Sequence, residues 1–268
     1  MSIEPRLKLL LACAPSWFAP EPASGLQLRG MAYVPGTVWS ESGVRLLIEA
    51  SMSLAVREAV PGTVFPARCP ERHIQSDQTF CMGLRKILIT DLESAGQWWE
   101  QLRQYIQCQS TAEQTGIWPP MHTLDHGDAG EHHERALQLA ADLNLEDEYA
   151  AAYMDEASWI TDQTLKLLDQ EGRPINGRMP CPRGCRHARA HCGPVIRRKC
   201  RRRAALLELV RAERDRRREL AAYWRHVIGR GEVCCGRMRS CGLPRPSSYD
   251  EPSAANEDNA PKRLGEAS

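Results

Sequence analysis

Seven of the chain's eleven cysteines fall between Cys181 and Cys241. No other feature restricts the fold as much, because thiols clustered at this density favour a bound metal over bridges. The same stretch is strongly basic. From Cys181 to Leu243, eighteen Lys and Arg stand against five Asp and Glu, a charge of +13. The other residues carry seventeen basic and twenty-nine acidic side chains, a charge of −12. The overall net charge of +1 is therefore a cancellation between two modules of opposite sign. Such asymmetry implies separate domains, an internal electrostatic contact, or a partner for the basic part.

Zinc is the expected cofactor of the cysteine-dense stretch, in a structural role. It takes four N or S ligands, commonly delivered in close pairs. Cys181-x3-Cys185 is a loose pair of that kind, and Pro182 and Gly184 let the chain turn between the thiols. Cys192 and Cys200 complete a first group, with His187 and His191 nearby. A long helix over 201–228 would return the chain so that Cys234, Cys235 and Cys241 meet that group. No C-x2-C pair occurs, and disulfides, an iron–sulfur cluster or free thiols stay open as alternatives.

The chain reads as α+β: a small antiparallel meander with flanking helices, then a mainly helical cysteine-rich region. Residues 1–14 give a short amphipathic helix ending at Cys13-Ala14, rather than a leader segment. Leu26-Gln27-Leu28, the run Val44 to Ile48 and Val64-Phe65 read as strands, separated by Pro35-Gly36, Ser42-Gly43 and Pro61-Gly62. Residues 66–96 read as an irregular loop. Trp98, Trp99, Leu102, Tyr105 and Ile106 recur at helical period and predict a helix ending near Thr115-Gly116. Helices are also predicted over 125–142, 146–157 and 201–228. These elements divide the chain into domains at 1–120, 121–177 and 178–243, with a disordered tail over 244–268. No apolar run reaches the roughly 18 residues of a membrane span, and the protein is expected in the cytoplasm.

The long loop holds Cys69-Pro70-Glu71-Arg72-His73-Ile74-Gln75 and, beyond it, Phe80-Cys81-Met82. A loop thiol can hold an acyl group as a thioester and pass it to an amine. A carboxamide aimed at the developing oxyanion would stabilise the tetrahedral intermediate. The arrangement resembles the ubiquitin-conjugating enzymes and their bacterial counterparts, over about residues 25–115. In that family a meander leads to a His-Pro-Asn motif, the acceptor cysteine follows eight positions after the His, and a Trp-bearing helix comes next. His73 to Cys81 is eight positions, and Trp98-Trp99 opens the next helix. Ile74 stands where the family has Pro, and Gln75 where it has Asn. The resemblance implies an acyl-acceptor role for Cys81, loop organisation for His73 and oxyanion contact for Gln75. It also implies a ubiquitin-like protein and its activating enzyme as partners, in a bacterial conjugation or defence operon.

Other readings stand beside it. Cys81 could be a buried core thiol, and Asp77, Asp91 and Glu93 could assist an incoming amine or be solvated loop charge. His122 and His126, four apart, would face one way on a helix, but Pro119-Pro120 and Gly127 favour a loop. The Arg-rich helix, with Arg201-Arg202-Arg203 and Arg216-Arg217-Arg218, could bind nucleic acid. It could instead dock on the chain's own acidic part or on an acidic partner. A non-catalytic zinc-binding adaptor is accordingly the alternative function, and an inactive conjugating-enzyme scaffold a third.

Overall fold

The structure is a computed structural model, and it describes residues 2–83, 86–119, 122, 125–175, 179 and 200–245. Pro5–Ala12 forms helix α1, entered through Glu4, whose side chain accepts from the Leu7 amide. Four strands follow: β1 Phe18–Pro20, β2 Gln27–Ala32, β3 Val44–Ala50 and β4 Leu54–Glu58. They pair antiparallel in chain order, with Phe18 opposite Ala32, Leu28 opposite Ile48 and Ile48 opposite Val56. Period-two alternation turns Leu28, Ala32, Val44, Leu46 and Ile48 to one buried face. Gly30 lies under the Phe18 ring, where a Cβ would stand 2.4 Å from Cζ, so no side chain fits at that crossing.

Helix α2, Leu92–Thr115, covers that face with Trp98, Trp99, Leu102, Tyr105 and Ile106. The indole of Trp99 donates to the Leu10 carbonyl at 3.0 Å and ties α1 to the same core. The helix starts inside the stretch expected to be irregular. An Asp91/Ser94 capping box opens it, and Gly116 in the left-handed region closes it.

One strand expectation is corrected, and strands β1 and β4 were not foreseen. The fourth strand is Leu54–Glu58, reached through Ser51-Met52-Ser53, and Val64-Phe65 is not in the sheet. The Val64 and Phe65 amides donate to the buried Glu58 carboxylate at 2.5 and 3.4 Å. That leaves no donor for a ladder, while the Phe65 ring enters the core beside Trp39 and Phe80.

Beyond residue 125 the chain is helical: α3 Ala129–Leu143, α4 Glu146–Tyr153 and α5 Arg203–Gly229. Leu139, Ala140, Leu143 and Tyr149 pack with Leu206, Leu209 and Val210 in one second core. The boundary expected at 177/178 therefore does not divide the core. The chain after α5 returns to the first unit. Met238 is buried in the sheet–helix core, and the Arg239 amide donates to the Gly116 carbonyl at 2.7 Å. The expected tail lies outside the described residues from 246 onward. No helix among the described residues is long and apolar enough to cross a membrane.

Candidate active site

The loop between the sheet and α2 is ordered by backbone pairing. Isolated bridges join Cys69 to Ile74 and Ile74 to Phe80, and the Phe80 amide donates to Val56 at 2.8 Å. The intervening turn is closed by Gln75 N–H to Thr79 O at 2.9 Å, with Asp77 accepting from the Thr79 amide and hydroxyl. Asp77 is thus a turn residue, as Asp91 is a helix cap; Glu93 lies exposed in the first turn of α2. The turn brings Gln75 back over Cys81, and the Gln75 side chain and the Gly83 amide lie close enough to its sulfur to favour the thiolate. The Cys81 amide donates to the His73 carbonyl at 2.8 Å. Burial pushes the Cys81 thiol up, while the Gly83 amide, the Gln75 side chain and the Lys86 charge act the other way.

His73 sits in the left-handed region with φ 54°, and its carbonyl faces Cys81. Its ring is 3% exposed, packed edge-on against Trp118 and beside His126. Its Nδ1 is buried without a hydrogen-bond partner. Burial, then the neighbouring His126, pushes its pKa down to about 3; burial likewise takes His126 to about 4, against the pull of Asp125. The ring is therefore neutral, and the residue organises the loop through its backbone.

These values make stability pH-dependent. The unfolded imidazoles take up protons near pH 6.5, and the folded ones only near pH 3–4. The unfolded state then binds more protons between those limits. Stability is complete above pH 6.5 and falls as pH drops, by about 1.4 kcal/mol per pH unit for each histidine. Urea midpoints at pH 7.5 and pH 5 should show the fall, and His73→Gln should shrink it. Equal midpoints in the parent chain would contradict the assignment.

The sequence reading overlooked the residues that hold this turn. Arg72 is fully buried; its Nε donates to the Gln109 side chain at 2.7 Å and its Nη1 pairs with Glu113 at 2.7 Å. Gln109 Nε2 donates to the Arg72 carbonyl at 2.6 Å. The Tyr105 hydroxyl is directed at the Arg72 and His73 carbonyls, at 3.0 and 3.2 Å. Tyr105 and Gln109 are i and i+4 on the inner face of α2, the only signal in the sequence that they act together.

The Cys81 thiol opens into a cleft of about 500 Å³. One wall is Tyr105 and Trp118, and the other is Leu137, Tyr149 and Tyr153 of the helical unit. Two family models match the chain. One, described as prokaryotic E2 domain, covers residues 21–120; the other, described as cysteine-rich domain, C-terminal to E2 domain, covers residues 125–243. The chain carries a prokaryotic E2 domain followed by an E2-associated cysteine-rich domain. No curated protein and no solved structure matches it.

The basic helix α5 of the cysteine-rich domain is engaged inside the chain. Arg216 pairs with Glu213 and Asp125, Arg217 with Glu213 and Asp155, and Arg218 with Asp215 and Glu219. Arg202, Arg211 and Arg214 donate to the carbonyls of Leu143, Gly172 and Asp169. Four of these six ion pairs lie within α5, and Asp125 and Asp155 are the two partners from outside it. Asp125 also pairs closely with His133, and His126 stacks on Tyr223, so the histidines after Pro120 that have ring contacts serve packing.

Four of the seven clustered cysteines, Cys200, Cys234, Cys235 and Cys241, are among the described residues. Cys181, Cys185 and Cys192 lie outside the described residues. Cys200 packs against the second core, whereas Cys234, Cys235 and Cys241 lie at the far end of α5, against the E2 domain. Among the described residues no group of three or more His, Cys, Asp or Glu could hold a metal ion.

Proposed function

We propose that the protein is a conjugating enzyme that carries a ubiquitin-like protein as a thioester on Cys81 and transfers it to an amine. One observation supports this reading above the others: the turn sets the Gln75 side chain beside Cys81, and Cys81 lines a cleft. The Cys81 thiolate would attack the activated C-terminal carbonyl of the modifier, and the leaving group would depart. An amine would then attack the thioester carbonyl, and the sulfur would leave as thiolate. Gln75, exposed on its turn, is free to follow the oxyanion in both steps. The neutral His73 supplies no proton, and its carbonyl fixes where the thiol sits.

Activating enzyme, ATP and the ubiquitin-like protein, run on a non-reducing gel, provide the test. The expected result is a thiol-sensitive adduct lost in Cys81→Ala. No adduct, or one that survives that substitution, overturns the reading. The bacterial operon, the cytoplasmic setting and the two named partners belong to the same proposal and rest on the family resemblance.

A structural zinc is proposed on the density of thiols alone. It would draw on Cys181, Cys185 and Cys192 with Cys200, and metal analysis of the purified protein tests it.

A further inference from the structure

The cysteine pair that the structure brings together joins the two domains. Cys69, at the start of the turn that carries His73, has its sulfur 3.2 Å from that of Cys235, which lies 166 residues away. Cys69 is 1% exposed and Cys235 half-buried. The Arg72 amide donates to the Cys69 carbonyl at 3.1 Å, and the Arg72 guanidinium and the Arg237 amide lie near the Cys235 sulfur. The latter two groups favour negative charge on that sulfur.

The contact is seated by groups that do not depend on it. Arg68 pairs with Glu232, Arg237 Nη1 donates to the Val64 carbonyl at 3.0 Å, and Met238 is buried in the E2 core. The two sulfurs are therefore held within one bond rearrangement of each other whatever their oxidation state. Among the described residues no group of three or more His, Cys, Asp or Glu could hold a metal ion; Cys234 and Cys241 lie near the pair, and Cys69 and Cys235 are the two sulfurs in direct contact.

We propose that Cys69 and Cys235 form a reversible disulfide that clamps the segment after α5 onto the active-site turn, with a peroxide as oxidant. The half-buried Cys235 sulfur reacts first. It attacks one oxygen of hydrogen peroxide, the O–O bond breaks, and water leaves a sulfenic acid behind. The Cys69 sulfur then attacks the Cys235 sulfur, the S–O bond breaks, and a second water departs with the Cys69 proton. Two thiols have lost two electrons and two hydrogens, and one peroxide has become two waters. A small dithiol reverses the step by exchange. The bond would fix the turn whose His73 carbonyl holds the Cys81 amide.

The test uses the full chain with Cys81→Ser, which removes the loop thiol that could compete. The reduced protein is treated with stoichiometric hydrogen peroxide, alkylated in denaturant and mapped as peptides without reduction. One linked pair, Cys69 with Cys235, is expected. It should be reversed by dithiothreitol and absent from both Cys69→Ser and Cys235→Ser. Should Cys69→Ser fail to fold, Cys235→Ser on the half-buried side carries the comparison. The proposal is overturned if both thiols are recovered alkylated, or if the linked pair is Cys234 with Cys241. It is also overturned if the purified protein holds zinc that Cys235→Ser releases. No modifier or activating enzyme enters this experiment, so its failure is separate from failure of the conjugating reading.

Discussion

Arg216→Met is expected to destabilise the folded chain by about 3–5 kcal/mol, read as a lower urea midpoint with an unchanged slope. The guanidinium is 5% exposed and makes every polar contact it can reach: Nε and Nη2 donate to Glu213 at 2.6 and 2.8 Å, and Nη1 to Asp125 at 2.9 Å. It also lies over the Tyr153 ring, 4.7 Å from its centroid. Glu213 and Asp125 are 1% and 3% exposed. Met keeps the apolar stem but removes the guanidinium that two buried carboxylates share, leaving Glu213 to Arg217 and Asp125 to His133 alone. The net stabilisation by Arg216 need not be large for its loss to be costly, because buried carboxylates with less compensation carry the penalty. Arg218→Met, two positions on, is the control. That side chain is 60% exposed and bridges to Asp215 and Glu219 across solvent, so the change should be within about 0.5 kcal/mol. If both variants unfold at the same urea concentration, the inward-facing reading of the Arg run is wrong.

That pair of arginines shows what the sequence can and cannot convey. The run Arg216-Arg217-Arg218 and the cancelling charges of the two modules are visible from composition, and they pose self-docking as one option among several. Asp125 is 91 residues from Arg216, and nothing local says that the two meet. The same distinction runs through the fold. Helix α2 was legible because its stripe of Trp98, Trp99, Leu102, Tyr105 and Ile106 is a local, periodic signal, and Gly116 stops it. Strand β4 was not, because Ser51-Met52-Ser53 lacks the Gly, Pro or Asn that mark a tight connection. Val64-Phe65 misled because an apolar pair reports burial rather than strand pairing. At the candidate site, Cys81, His73 and Gln75 were legible together through one spacing within a single loop. Arg72, Gln109 and Glu113, which hold that loop from α2, were not, since their partnership is set by how the helix crosses the turn. The Cys69–Cys235 contact was not legible, because the two residues lie 166 positions apart in different domains.

Gln75 carries the other large expected effect. If its carboxamide stabilises the oxyanion, Gln75→Ala should slow discharge of the Cys81 thioester to free lysine by about 10²-fold. The side chain is exposed, so stability should be nearly unchanged, and the loss cannot be laid to unfolding. The resemblance makes Asn the family residue here, which would suggest that Gln75→Asn improves the enzyme. The geometry argues otherwise. The turn is set by backbone bonds from Gln75 to Thr79 and by Asp77, none of which involves the Gln75 side chain. From that fixed position the Gln side chain comes close enough to the sulfur to favour its thiolate, and Asn is one methylene shorter. Gln75→Asn is therefore expected to discharge more slowly than the parent, though faster than Gln75→Ala. A pH profile separates this role from simple packing. Loading should accelerate with pH through the upper thiol range, because burial holds the Cys81 thiol above its ordinary value. Gln75→Ala removes a donor that favours the thiolate, so its loading profile should shift to higher pH. Discharge at the parent rate in Gln75→Ala, with an unmoved profile, would remove Gln75 from the chemistry and leave Cys81 to work without it.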